Sequence, residues 1–187
     1  NVASGCLITL VGSDDGENHG MGDKYIGAMM GGRIELHGKE KISWTHLGAD
    51  ANVSDSQITM SDPVDWEVGD EIVIVSSRTN WNEAEKHTIT AVSGDGLEVS
   101  LSSPINYPHV SAIETYTRNK DGKTWTADLR AEVGLLTRNV TVQGDAQSEN
   151  NGFGGHIMAM KNSTINASNI ELYRMGQKAK KARYPWH

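Results

Sequence analysis

The stretch RAEVGLLTRNVTVQGD, residues 130–145, predicts the kind of structure that the rest of the chain forms. It contains the apolar run VGLL at residues 133–136 and then the alternation VTVQ at residues 140–143, in which the two valines share one face. Alternation with a period of two, ended by the pair Gly-Asp, is typical of a β-strand that runs into a turn. We therefore expect one strand over residues 133–143, with short strands layered before and after it.

Charged residues of both signs lie close to the apolar part of this stretch, namely Arg130, Glu132 and Arg138. Charges beside an apolar strand usually pair with each other or with a neighbouring turn, because an unpaired charge is costly to bury. We favour an internal ion-pair network for these three residues. The nearby carboxylates Asp128 and Asp145 are weak candidates for catalysis, because both are expected in loops or turns.

The composition favours a β-rich protein of one ordinary domain or two small ones. The chain has 187 residues, 20 glycines and 4 prolines, and β-branched residues recur in short runs. A net charge of −7 argues against wholesale nucleic-acid binding. The sequence has no apolar run near the roughly 18–20 residues that a membrane-spanning helix requires.

The single cysteine, Cys6, excludes an internal disulfide and a multi-cysteine metal site, and we expect it to be buried. The chain opens at Asn1 without a signal peptide, which indicates a mature product or an excised piece. Four Asn-x-Ser/Thr sequons predict glycosylation if the protein is secreted by a eukaryote. They begin at Asn52, Asn139, Asn162 and Asn166.

Short alternating runs predict strands along most of the chain. Two of them flank Gly94-Asp95-Gly96, which is a strong hairpin signal. Residues 62–117 therefore read as a small antiparallel module. The predicted strands are 5–12, 33–38, 42–47, 57–60, 71–77, 87–93, 97–101, 133–143, 156–160 and 164–173.

After residue 118 the strands are separated by loops rich in glycine and asparagine, without helices between them. This pattern indicates a β-solenoid, in which each coil buries its apolar face against the next. Asn162, Asn166 and Asn169 suit the turns of such a fold, because asparagine tolerates left-handed backbone.

A polar, glycine-rich loop near the start of the chain carries oxygen ligands at close spacing, which raises the possibility of calcium. They are Asp14, Asp15, Glu17 and Asn18. The spacing differs from that of an EF-hand, so an ordinary exposed loop is the favoured interpretation and the metal remains unknown.

Several long motifs together resemble one family. MGDKYIGAMMGGRIELHGKEKISWTHL (21–47), DWEVGDEIVIVSS (65–77) and residues 130–145 are followed in order by GGHIMAM, IELYRMGQ and ARYPWH. This series resembles the eight-glycine domain and the following β-helix of cell-surface hyaluronidases and fibrocystins, and it covers about residues 20–187.

The resemblance implies an all-β protein: a right-handed parallel β-helix with an inserted small antiparallel module. Taken together with the strand pattern, it predicts eight-glycine-like coils over 1–61, the antiparallel module over 62–117 and β-helix coils over 118–187. It also implies an extracellular or cell-surface location and a fragment of a longer protein. In this family the last motif runs Arg-Tyr-Pro-(Ile/Val)-His-Phe-His, whereas here Trp186 replaces the aliphatic residue and the chain ends at His187.

The family-like motifs after the central strand supply the candidate site. His156 and His187 would transfer protons or ligate a metal, and Arg174 and Arg183 would bind the carboxylates of a uronate polymer. Lys181 belongs to a basic C-terminal group with Lys178 and Lys180 that would attract a polyanion, the alternative being a solvated basic turn. For His156 the alternative is a strand histidine hydrogen-bonded to a turn, and for His187 a truncated structural motif.

Other side chains with chemical potential receive structural interpretations. We expect His37 and His46 to be structural, Trp44, Trp66 and Trp125 to fill the core or cover a solenoid edge, and Trp81 to be exposed. The sequence contains no nucleophilic serine elbow, phosphate-binding loop or zinc cluster.

Two functions remain open from the sequence. One is an enzyme, a calcium-dependent glycosaminoglycan depolymerase of the cell-surface hyaluronidase type, because this is the activity that the resemblance implies. The other is a non-catalytic structural or adhesive module of a large surface protein, because fibrocystin-like members carry the same domains without an established hydrolase role. The expected partners are a glycosaminoglycan-like polysaccharide or neighbouring protein chains.

Overall fold

The computed structural model describes residues 5–16 and 20–187, and in this part the chain is all-β, as predicted. The strands are β1 Cys6–Leu10, β2 Tyr25–Ala28, β3 Arg33–His37, β4 Trp44–His46, β5 Gln57–Thr59, β6 Glu71–Ile74, β7 Glu85–Val92, β8 Glu98–Leu101, β9 Ile113–Thr117, β10 Thr124–Asp128, β11 Glu132–Leu135, β12 Val140–Gly144, β13 His156–Ala159, β14 Thr164–Ser168 and β15 Glu171–Tyr173. A 3₁₀ turn, Trp81–Glu83, and one short helix, α1 Ser148–Asn151, complete these elements. No helix in these residues has the length and apolar character needed to cross a membrane.

The chain forms two compact units. The first unit combines the described residues up to Glu40 with Arg138–His187, and the second unit is the continuous segment Lys41–Thr137. These bounds differ from the expected divisions at 61/62 and 117/118, because β4, β5 and β11 join the antiparallel sheet of the second unit. The three expected domains stay a prediction about domain organisation.

Parallel ladders build the first unit. β12 pairs with β1 on one side and with β15 on the other, β13 pairs with β2, and β14 pairs with β3. The order β1, β2, β3 is thus repeated by β12, β13 and β14, each laid parallel to its counterpart. The last residues extend one ladder, because Trp186 forms a parallel bridge with Ile157.

A six-stranded antiparallel sheet dominates the second unit, in the order β4-β11-β6-β7-β8-β5. Alternate residues point inward to one core that includes Leu47, Ile72, Ile89 and Val133, which are at most 1 % exposed. The predicted hairpin around Gly94–Gly96 is confirmed: β7 and β8 pair across it.

The single strand expected over residues 133–143 is wrong. β11 pairs antiparallel with β6 in the second unit, whereas β12 pairs parallel with β1 in the first. The amide of Leu136 still donates to the carbonyl of Glu71 in the register of β11 and β6, and the chain then leaves this ladder before β12 begins at Val140. The stretch therefore carries the chain from one unit into the other.

Some burial expectations also need correction. Cys6 is exposed, not buried, because it begins β1, a strand in which Leu7 and Thr9 are also exposed. Trp44 and Trp125 are 55 % and 42 % exposed, since their strands turn these side chains away from the core. Trp66 is buried and Trp81 is 80 % exposed, as predicted.

Of the local predictions around charges and turns, those for the turns at Asn162 and Asn169 are confirmed. Arg130 forms its ion pair at 2.7 Å with Asp128, which ends β10 instead of lying in a loop, so its partner lies outside the network expected with Glu132 and Arg138. Asn162 and Asn169 take left-handed backbone with φ of 65° and 55°, as expected for turns. Asn166 instead lies within β14.

Candidate functional site

The candidate site is a basic loop of the first unit, defined here as residues 174–185. The chain leaves β15 through Arg174 and Gly176, whose φ values are 51° and 91°. The loop then closes on itself, because the amide of Gln177 donates to the carbonyl of Arg183 at 2.9 Å. This closure holds Lys178, Lys180 and Lys181 on one short surface segment.

Three clefts border the basic loop. One, of about 360 Å³, is lined by Arg174, Lys178 and Arg183. Another, of about 330 Å³, is lined by Lys180, Lys181 and Arg183 together with Asp14 and Asp23. The third, of about 520 Å³, is lined by Lys178, Lys180 and Asp145, among others. The structure thus brings the predicted cations Arg174, Lys181 and Arg183 to adjoining clefts.

Acidic side chains neutralise part of this positive charge, and aromatic rings contact two of the cations. The Nε atom of Arg174 lies 3.4 Å from a carboxylate oxygen of Glu149, and its guanidinium lies 4.7 Å from the ring centre of Tyr173. The ammonium of Lys180 forms an ion pair with Asp14 and lies 5.2 Å from the ring centre of Phe153. The clefts therefore offer mixed charge, with cations held in defined positions.

Sequence reasoning missed Lys24, whose fully buried ammonium lies beneath this region. Its Nζ atom lies 2.9 Å from Asp145 Oδ2 and donates at 2.9 Å to both the hydroxyl of Ser148 and the carbonyl of Phe153. The hydrogen bond from Lys24 is the largest cause that holds the pKa of Asp145 below its usual value. In the sequence, a lysine between a glycine-rich loop and a strand is only a weak signal of a functional site. Only the fold therefore reveals the pair of Lys24 and Asp145.

His156 is fully buried, and both ring nitrogens contact protein groups. Its Nε2 atom lies 2.7 Å from the carbonyl oxygen of Met21, and its Nδ1 atom lies 3.4 Å from the side-chain nitrogen Nε2 of Gln177. Burial lowers the pKa of His156, which favours the neutral ring with Nε2–H donating to Met21. This geometry matches the alternative of a structural strand histidine. Proton transfer by His156 stays a prediction.

His187 lies at the exposed end of the chain. Its backbone amide donates to the carbonyl of Ile157 at 2.9 Å, and its own carbonyl accepts from Ala159 at 3.1 Å. Its ring centre lies 5.7 Å from that of Tyr184. Neither histidine lines the three clefts. Arg183 and His187 nevertheless lie close enough to His156 for their charges to contribute, after burial, to the lowering of its pKa.

The acidic loop offers little that fits calcium. Asp14 is paired with Lys180, and Asp15 accepts a hydrogen bond from Ser13 at 2.8 Å, so both carboxylates are engaged. Glu17 and Asn18 lie outside the described residues. Among residues 5–16 and 20–187, no group of three His, Cys, Asp or Glu side chains converges as a metal site requires. Calcium therefore stays a prediction.

The predicted glycosylation sites differ in access. Asn52, Asn162 and Asn166 are exposed, the first two in turns and the third on β14. Asn139 is half-buried, and its side-chain oxygen accepts from the amide of Lys39 at 2.6 Å. A glycan fits Asn52 and Asn162 more readily than Asn139 or Asn166, because the side-chain nitrogen of Asn166 donates to Glu35 at 2.9 Å.

Comparison with known proteins places these features in a family. The G8 domain model matches residues 2–48, and the model of the CEMIP β-helix matches residues 152–187. Fibrocystin-L of Mus musculus is 39 % identical over 131 residues. The chain is a G8 domain-containing relative of fibrocystin-L. The G8 match covers β1 to β4, and the β-helix match covers the basic loop, so the expected family is confirmed.

This G8 relative spans a small part of the proteins it matches. The alignment with mouse fibrocystin-L covers 68 % of this chain and 3 % of that protein. A G8 domain-containing protein of Dictyostelium discoideum is 34 % identical over 170 residues, covering 89 % of this chain and 14 % of its own length. Among solved structures, a tailspike of Pseudomonas phage phi297 aligns over 75 % of this chain and 22 % of its own, with 12 % identity and a TM-score of 0.38.

Proposed function

We propose that this chain is an extracellular or cell-surface module that binds a glycosaminoglycan-like polyanion along its basic loop. The observation that carries the proposal is the placement of Arg174, Lys181 and Arg183 at adjoining clefts of one surface. Guanidinium groups match carboxylates in a two-pronged geometry, and lysine adds a point charge. The relation to the G8 and CEMIP β-helix models supports the location and the class of protein.

The proposal includes a right-handed parallel β-helix as the scaffold. The repeated order β1, β2, β3 and β12, β13, β14, paired strand by strand, supports coils that stack on one another. Stacked coils present their turns as rows along one side. In such a scaffold the basic loop, which follows β15, extends the row formed by the turns after β1 and β12.

The contacts of His156 favour polysaccharide binding without cleavage. His156 is the best candidate for proton transfer, yet its ring is buried and bonded to Met21 and Gln177. Depolymerisation by His156 and His187, with calcium, is the second candidate function, and the family resemblance favours it. A structural role in assembly with neighbouring protein chains is the third.

One experiment separates these functions. Hyaluronan binding and chain length would be measured for the full chain, first with calcium and then with chelator. We expect binding without shortening, weakened several-fold by Lys181→Ala and unaffected by Lys161→Ala, an exposed lysine outside the clefts. Chelator-sensitive shortening that is lost in His156→Ala would establish the enzyme instead. Absence of binding in a folded sample would exclude the proposed polyanion site.

A further inference from the structure

The outer face of β3 and β14, in the first unit, carries a chain of hydrogen-bonding side chains. The two strands pair in parallel, with Ser168 opposite His37 and Asn166 opposite Glu35. Because side chains alternate between the faces of a strand, Glu35 and His37 project on the same side. The register thus places a hydroxyl, an imidazole and a carboxylate next to one another.

The distances connect the three groups in order. The hydroxyl oxygen of Ser168 lies 2.8 Å from His37 Nδ1, and His37 Nε2 lies 2.8 Å from Glu35 Oε2. A carboxylate oxygen only accepts, so in the neutral ring the proton is on Nε2 and Nδ1 is left as an acceptor. The serine hydroxyl therefore donates to a nitrogen that can take its proton.

Further contacts fix the carboxylate. The amide of Asn166 donates to Glu35 Oε1 at 2.9 Å, and the guanidinium of Arg33 donates to the same oxygen. The hydrogen bond from His37 is the largest of several causes that lower the pKa of Glu35 to about 2, followed by those from Arg33 and Asn166. Glu35 is therefore ionised at neutral pH and orients the imidazole.

We propose that Ser168, His37 and Glu35 form a nucleophilic site for acyl transfer from small O-acyl esters. Ser168 Oγ attacks the ester carbonyl while its proton passes to His37 Nδ1. The alcohol then leaves with that proton, which yields acyl-Ser168, and water attacks this ester with His37 again as the base. The products are a carboxylic acid and an alcohol, so no oxidant, reductant or metal enters the balance.

The exposure of the site defines its substrate class. The side chains of His37 and Glu35 are 54 % and 36 % exposed, and Ser168 is exposed as well. An open face of this kind admits a short acyl group on a large carrier, such as an O-acetyl ester on a polymer. The site lies apart from the residues that line the basic-loop clefts, so the inference stands independently of the proposed polyanion binding.

The second unit contains a useful internal control. Ser103 lies 3.1 Å from His87 Nδ1, but His87 Nε2 is 3.7 Å from Glu85 Oε2, which is too long for a hydrogen bond. His87 is also buried, and burial lowers its pKa. Ser103 thus has a neighbouring histidine, but that histidine is buried and has no hydrogen bond to a carboxylate that would orient it.

The test treats the unglycosylated full chain with a fluorophosphonate probe and with p-nitrophenyl acetate. We expect one probe adduct, mapped by mass spectrometry to Ser168, and ester hydrolysis. Ser168→Ala and His37→Ala should each lower both rates by about tenfold or more, since general-base assistance contributes roughly 10²–10⁴-fold. Ser103→Ala should leave both unchanged. Absence of an adduct, an adduct elsewhere, or full activity in Ser168→Ala would overturn the proposal.

Glu35 acts as a positioning residue, so its variant needs a second readout. Glu35→Gln should lower the labelling rate while circular dichroism remains unchanged. In nitrogen-15 NMR spectra, the variant should lose the preference of His37 for the Nε2–H tautomer. Slower labelling without a tautomer change would contradict this role for Glu35.

Discussion

The buried ammonium of Lys24 lies 2.9 Å from Asp145 Oδ2, although the two residues are far apart in sequence. Lys24 directly precedes β2, and Asp145 directly follows β12. The pair thus connects the two chain segments of the first unit. Its side chains are 0 % and 21 % exposed, so the carboxylate retains some contact with water.

Asp145→Asn should destabilise the first unit, because it leaves the buried Lys24 charge without its counter-charge. Removing one partner of a fully buried pair costs about 3–5 kcal/mol. Since Asp145 is partly exposed and the acceptors on Ser148 and Phe153 remain, we expect a loss of about 2 kcal/mol in the free energy of unfolding. Urea denaturation at pH 7 measures this value. Lys161→Ala serves as the exposed control, and an unchanged Asp145→Asn midpoint would contradict the prediction.

The contribution of the same carboxylate should depend on pH. The folded pKa of Asp145 is lowered by Lys24, so folding is favoured by its ionised form. This stability is present above the unfolded pKa of about 4 and is lost as the pH falls through the lowered folded pKa. The difference in unfolding free energy between the unmodified chain and Asp145→Asn should therefore shrink below about pH 4. A difference that is constant with pH would refute this linkage.

Two glycines of the β7–β8 turn should respond differently to alanine. Gly96 has φ of 74°, and an added Cβ would lie 2.6 Å from the carbonyl oxygen of Val64. Left-handed backbone alone costs about 1–2 kcal/mol in other residues, and the clash adds to it, so Gly96→Ala should lose about 2 kcal/mol or more. Gly94→Ala, with no atom within 4 Å of the new Cβ, should change stability by at most about 0.5 kcal/mol. Equal melting temperatures for the two variants would show that the turn tolerates a side chain.

Cys6 should react in the native state, because its side chain is exposed. A chromogenic disulfide reagent should label about one thiol per chain without denaturant, and Cys6→Ser should give none. The reaction rate should change little when urea is added below the unfolding transition. A thiol that reacts only after unfolding would support burial, as the sequence alone predicts.

Local sequence patterns were sufficient for the strand content and for the hairpin at Gly94–Gly96. They were insufficient for residues 130–145, since alternation looks the same in a parallel ladder and in an antiparallel one. The choice depends on partners such as Cys6 for Val140 and Ile72 for Leu135, which lie far away in the chain. The pattern identifies strands but does not identify their neighbours.

The candidate site, too, could be predicted only in part from the sequence. Arg174 and Arg183 were singled out by the family-like motifs and Lys181 by a charge cluster, whereas the clefts that they line were not predicted. His37 was expected to be structural, yet its contact with Ser168 depends on a register that joins positions 131 residues apart. His156 was singled out from its motif, and only the contacts with Met21 and Gln177 reveal a buried ring.

The parallel ladder between β1 and β12 has a consequence for the order of folding. The bonded side chains of Thr9 and Gln143 in this ladder are 134 residues apart, whereas the second unit is one continuous segment. Contacts between distant residues must overcome the entropy of closing a long loop, which slows their formation. During synthesis, β1, β2 and β3 therefore leave the ribosome early. They remain unpaired until residues 138–187 have been synthesised. Those three strand edges are the part of the nascent chain most in need of protection from aggregation.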